Sequence, residues 1–185
     1  MSIRTLIAAA LLAALLPAAA AEPGDSSGSG WGGDFEFIDD AGRLRRLSSL
    51  APVPLAVYFG YSNCPDKCAQ IMARLAAARK EAGGNPRSFK VLFITVDPER
   101  DSRIVLRDFL KLFGAGFIGG RIPPSQLRSV AGRFGVHYES FAGGRLGVGQ
   151  GEQIHFFDGR GQPASVIGSD AEVAELAATI ASLLP

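Results

Sequence analysis

Leu55-Ala56-Val57-Tyr58-Phe59-Gly60-Tyr61-Ser62-Asn63-Cys64-Pro65-Asp66-Lys67-Cys68 opens on an unbroken apolar run and closes on two cysteines four positions apart. A run such as Leu55 to Phe59 is the pattern of a strand covered on both faces. Pro65 suits a first helical turn, where its missing N–H is not needed. The apolar spacing beyond it predicts a helix to Glu81, closed by Gly83-Gly84. The cysteine pair therefore stands where a buried strand hands over to a helix. Side chains at i and i+4 share a helix face, about 5–6 Å apart at Cβ. Two sulfurs so placed can rotate into a disulfide or converge on one soft metal ion. The partial positive charge of a helix N-terminus favours anionic sulfur there. Lys67 pushes the same way and Asp66 against it.

Working outward, strands and helices alternate. Phe35 to Ile38 and Arg43 to Leu47 flank Asp39-Asp40-Ala41-Gly42 and read as a leading hairpin. Val91 to Val96 is a second buried strand, ended by Asp97-Pro98. Ile104, Val105, Leu106, Phe109, Leu110 and Phe113 recur at helical spacing, which predicts a helix over Ser102 to Phe113. Pro123-Pro124-Ser125 opens a third helix reaching Phe134. Ile154 to Phe157 and Ala164 to Ile167 enclose Asp158-Gly159-Arg160-Gly161, a hairpin signal. Ser169-Asp170 is expected to cap a last helix carrying Val173, Leu176, Ile180 and Leu183 on one face. This order specifies an α/β domain of thioredoxin-like fold: a central mixed sheet flanked by helices, with a leading β-hairpin.

The ends of the chain add a location. Met1 to Ala21 has one charge, Arg4, then an apolar run from Leu6 to Leu16 and a small-residue stretch ending in Ala19-Ala20-Ala21. That is the layout of a secretory signal cleaved near Ala21. An uncut membrane anchor is the competing reading, but Leu6 to Ala21 falls short of the roughly 20 apolar residues of a span. Residues 22–33 lack the apolar content to offset their ordering entropy and read as a flexible tether. Residues 34–185 form the domain. The 185 residues carry 19 basic and 18 acidic side chains, a balance that gives no support to nucleic-acid binding. No phosphate-binding loop or serine nucleophile elbow is present.

Cys64 and Cys68 are the only two cysteines. In an exported protein they can be a structural disulfide. A bond across so few residues closes a tiny loop and constrains the unfolded chain little, so a working pair is the stronger reading.

The run Phe59 to Cys68, with Phe93-Ile94-Thr95-Val96-Asp97-Pro98-Glu99-Arg100-Asp101-Ser102 downstream, resembles the Sco/SenC family from about Phe35 to Leu184. The resemblance implies a thioredoxin fold outside the cytoplasm. It implies copper held at the CxxxC pair together with a distant histidine, delivered to the dinuclear copper centre of cytochrome c oxidase. Cys64 and Cys68 would then be copper ligands, and Asp97 a neighbour of the site. The chain departs at the third ligand. The family histidine lies eight residues before the residue opening the late hairpin turn, and counting back from Asp158 reaches Gln150. The histidines present are His137 and His155. His155 sits at an odd offset along its strand, which turns it to the opposite face. His137 has no motif support. Met72 falls within an apolar helix, where packing explains it better than ligation. Asp101 is read as a helix cap.

Three functions follow. Two thiolates suffice for soft Cu(I), so a copper metallochaperone comes first, its partner the copper-centre subunit of cytochrome c oxidase or another exported cysteine protein. A monomer is expected. The same pair, as Cys64 and Cys68 exchanging electrons, suits an extracytoplasmic thiol–disulfide oxidoreductase. A binding domain with a stable disulfide is the third.

Overall fold

The computed structural model describes residues 32–64, 67–141, 145–148 and 152–185. The leader 1–21 and nearly all of the tether 22–33 lie outside the described residues, as do Pro65, Asp66 and Gln150. The expected leading hairpin forms from β1 (Glu36–Asp39) and β2 (Leu44–Arg46), paired antiparallel with Ile38 opposite Leu44. Asp39 holds its turn by accepting from the Arg43 backbone at 2.8 Å and side chain at 2.8 Å. The burial of Asp39 raises its pKa, but the Arg43 and Arg45 contacts outweigh it and hold the carboxyl below its usual range. Leu47–Leu50 follows as a short 3-10 helix rather than the strand end expected at Leu47.

β3 (Leu55–Gly60) is buried at all six positions, as its unbroken apolar run requires. It leads through the cysteine loop into α1 (Lys67–Glu81), then β4 (Lys90–Thr95) and α2 (Arg103–Lys111). Next come β5 (Phe117–Arg121), α3 (Pro124–Arg133), a separate hairpin of β6 (Tyr138–Phe141) and β7 (Arg145–Val148), β8 (Gln153–Phe157), β9 (Pro163–Gly168) and α4 (Val173–Leu183). The main sheet has the order β2-β1-β5-β4-β3-β8-β9. Its three central strands β5, β4 and β3 run parallel and the flanking pairs antiparallel. This is the thioredoxin-like arrangement expected from element order, with a β5 and a β6–β7 hairpin that the pattern did not give.

Each sheet face carries its own core. On one face Ala56, Tyr58, Phe93, Ile154 and Phe156 pack under α1, α2 and α4 through Ile71, Met72, Leu75, Leu106, Leu176 and Ile180. On the other, Val57, Phe59, Ile94 and Phe157 pack with Phe35, Phe37 and the α3 residues Leu127 and Val130. Burying each such side chain is worth about 1.5–3 kcal/mol, so the strand alternation decides the layers. No described helix is long and apolar enough to cross a membrane.

Two capping expectations change. Ser102 caps α2, its side chain accepting from Val105 N at 3.3 Å, and Asp101 points elsewhere. Glu172, not Ser169 or Asp170, stands at the cap of α4 and makes no side-chain bond there. Ser169 is drawn away to Glu152, to which its N–H donates at 2.9 Å.

Candidate functional site

Cys64 and Cys68 are free thiols at the carboxyl end of β3, one half-buried and the other fully buried. Cys64 stands in the loop ahead of α1 and Cys68 on its first turn, near enough for the Cys64 sulfur to act on the Cys68 thiol. Cys64 packs against both cores, where the two sheet faces meet, while Cys68 belongs to the α1 face alone. Gly60 makes this approach possible. A Cβ there would stand 2.8 Å from Tyr58 Cε1, 3.0 Å from Cys68 Sγ and 3.1 Å from Phe93 Cε2. Burial first, and then the Cys64 sulfur, pushes the Cys68 thiol pKa up. Tyr61, bonded to Cys64, is pushed up to about 12, chiefly by burial and then by the Cys64 sulfur.

Behind Cys68 lies a polar chain that the sequence reading missed. Tyr58 Oη stands 3.8 Å from Cys68 Sγ and donates to Glu152 Oε2 at 3.2 Å. The same oxygen takes Lys67 Nζ at 2.9 Å and Ser169 Oγ at 3.3 Å. The Glu152 side chain is only 6% exposed. Burial, then the charges of Cys68 and Glu152, raises the Tyr58 phenol above its ordinary range. The signal for Glu152 was available. Counting back by twos from Phe156 and Ile154 places it on the Cys68 face, and an inward acid requires partners.

The cysteine loop is also held from the β4 side. Asp101 is 1% exposed. It accepts from Ser62 N at 2.9 Å, from Thr95 Oγ1 at 2.6 Å and from the Ser62 hydroxyl. Val96 N donates to Gly60 O at 2.8 Å across the same gap. Asp101 is thus a clamp rather than the helix cap expected. Asp97 begins this loop, is buried, and is paired with Arg100.

The remaining candidates separate. His155 lies opposite Val57 in the sheet, with its ring edge-on to Phe134 at 5.0 Å, in the core away from Cys68. The odd strand offset thus has the consequence expected of it. Burial pulls the His155 pKa down to about 4, opposed by a hydrogen bond with the Phe134 backbone. His137 is exposed ahead of β6. Met72 is fully buried under the sheet. Among the described residues, no group of three histidine, cysteine or acidic side chains is arranged to hold a metal ion. The chemistry within reach is that of two thiols. They can release their protons to solvent and bind a soft metal ion as thiolates, or lose two electrons and two protons to form a disulfide.

The chain is similar in sequence and fold to known proteins. A SCO2-like protein of Rickettsia felis is 35% identical over 107 residues, covering 58% of this chain and 52% of that one. The chain thus spans about half the length of that relative. The structure of Arabidopsis thaliana ScoI with copper bound superposes with a TM-score of 0.76 at 26% identity, over 83% of this chain and 97% of that one. Bradyrhizobium japonicum ScoI with copper bound gives a TM-score of 0.72 at 25% identity, over 84% and 100%. The SCO1/SenC family model matches residues 24–185, both cysteines and the whole sheet included, and the chain belongs to that family.

Proposed function

We propose that this chain is an exported copper metallochaperone that carries Cu(I) as cargo on Cys64 and Cys68. Its copper is destined for the copper-centre subunit of cytochrome c oxidase. Residues 1–21 serve as the export signal, 22–33 as tether and 34–185 as the working domain. The observation that carries this reading is the meeting of two free thiols at the end of β3, in a fold whose relatives hold copper. Two sulfurs are the soft donors that Cu(I) prefers. Neither histidine joins them: His155 faces the other core and His137 is exposed. Cu(II), which favours nitrogen, is the poorer cargo. Cys64, the half-buried sulfur, is the one a partner reaches first. Cys68, held from behind by Tyr58, is the one that lets go last.

The same asymmetry supports a second reading, thiol–disulfide exchange. An accessible sulfur attacks a partner and a buried neighbour resolves the mixed disulfide.

Anaerobic competition for Cu(I) against a chromophoric chelator tests the first reading. One tightly held Cu(I) is expected, lost in Cys64→Ser and Cys68→Ser and kept in His155→Ala. Retention no better than that of the serine variants overturns the copper reading and leaves disulfide exchange.

A further inference from the structure

Tyr58 has one hydroxyl proton and two polar neighbours. It gives that proton to Glu152 Oε2, so toward Cys68 at 3.8 Å its oxygen can only accept. The Cys68 S–H is then the donor. Glu152 is committed to this arrangement. Its Oε2 meets three donors, Tyr58, Lys67 and Ser169, and behaves as an acceptor toward all of them. A carboxylate that is 6% exposed and ringed by donors has little reason to release the tyrosine proton.

This directionality distinguishes the two oxidation states of the pair. As a thiol, Cys68 completes the chain from sulfur to phenol to carboxylate. In a Cys64–Cys68 disulfide the sulfur has no proton to give, and the phenol oxygen behind it loses its donor in a site closed to water.

We propose that Glu152, acting through Tyr58, is a positioning residue that holds the Cys64–Cys68 pair in its dithiol form. This rests on the reading of the pair as the working site, since two thiols are the form that can accept Cu(I). The balanced step is the reduction of the intramolecular disulfide by a small-molecule or protein dithiol. Two electrons and two protons pass to Cys64 and Cys68, the S–S bond breaks, and the donor leaves as its own disulfide. Glu152 and Tyr58 neither gain nor lose a proton overall. They bias the equilibrium toward the product that can donate to Tyr58. Lys67 and Ser169 keep the carboxylate from turning away.

The test is equilibration of the purified protein in glutathione redox buffers, with remaining thiols trapped by alkylation and counted by mass. Tyr58→Phe removes the link and conserves the ring volume. Glu152→Ala removes the acceptor, and Glu152→Gln restores an oxygen in its place. Tyr58→Phe and Glu152→Ala are expected to favour disulfide formation about three- to tenfold, the worth of one modest hydrogen bond. That is a potential lowered by up to about 30 mV. Glu152→Gln is expected to return to within about twofold of the parent. A purely structural role would lower stability without this ordering, so each variant is melted in parallel. Folded Tyr58→Phe and Glu152→Ala with the parent's constant overturn the inference and leave the site reading intact. A parent that forms no disulfide at any buffer ratio overturns the inference through a different result, and the disulfide-exchange reading with it. Cu(I) binding, measured separately, decides the copper reading.

Discussion

Gly60 shows how little room the site leaves at the scale of one residue. The atoms that a Cβ would meet, Tyr58 Cε1, Cys68 Sγ and Phe93 Cε2, are two ring edges and a sulfur anchored on a helix. None is the loose end of a flexible chain, so relief requires moving α1 or a buried ring. Gly60→Ala is expected to cost about 1–3 kcal/mol of stability, as overpacking of a tight core does. Because Cys68 is the contact, the same variant is expected to weaken Cu(I) retention. Urea unfolding and chelator competition on one sample check both. A variant with the parent's midpoint would mean that the sulfur can retreat without strain. Cys68 itself was legible by spacing, whereas its closeness to Gly60 was not, since close approach is a property of the packed sheet. Gln150, expected by counting to stand where the family resemblance implies a histidine, lies outside the described residues.

Between elements, the decisive contact joins the β3–α1 loop to the β4–α2 loop. Asp101 reads as a cap because it precedes an amphipathic helix, but Ser102 also qualifies and takes the position. The carboxylate is then available for Ser62 and Thr95. Local rules could not choose between two adjacent cap formers, and the tertiary contact did. Asp101→Ala leaves the buried Thr95 hydroxyl and the half-buried Ser62 hydroxyl and N–H short of an acceptor, and is expected to cost about 2–4 kcal/mol. It is also expected to speed alkylation of Cys64, measured by mass under native conditions, because the loop two residues upstream comes loose. Unaltered stability would show that the loop is held by other means. The strand β5 was missed for a related reason. Gly119 and Gly120 lower its strand signal, yet a Cβ at Gly119 would lie 3.0 Å from Leu106 Cβ and one at Gly120 3.0 Å from Phe37 Cδ2. Those glycines let α2 and the leading hairpin press on a central strand, which is a reason for glycine that only the assembled layers reveal.

Across the whole molecule, the sheet sorts residues into two cores, and strand parity assigns each functional candidate to one of them. That much was legible wherever a strand was long and apolar: strand parity places His155 away from Cys68, and in the structure it lies opposite Val57 against Phe134. The depth of its burial was not legible, because it depends on Phe134 arriving from α3. His155 consequently couples the second core to pH. Its folded pKa lies near 4 against an ordinary 6.5, chiefly through burial. Between those values the unfolded chain binds a proton that the native chain refuses. Stability is therefore full above about pH 6.5, falls as pH drops through that value, and stops falling from this source near pH 4. At about 1.4 kcal/mol per pKa unit the loss is on the order of 3 kcal/mol. His155→Phe keeps an aromatic ring against Phe134 and removes the titration. Urea midpoints at pH 7.5 and 4.5 are expected to differ less in the variant than in the parent. Parallel acid limbs in the two proteins would show that the imidazole stays protonated in the core or escapes it. Since the ring lies across the sheet from Cys68, Cu(I) retention at neutral pH is expected to be equal in both, so acid stability and cargo binding respond to different faces of the same sheet.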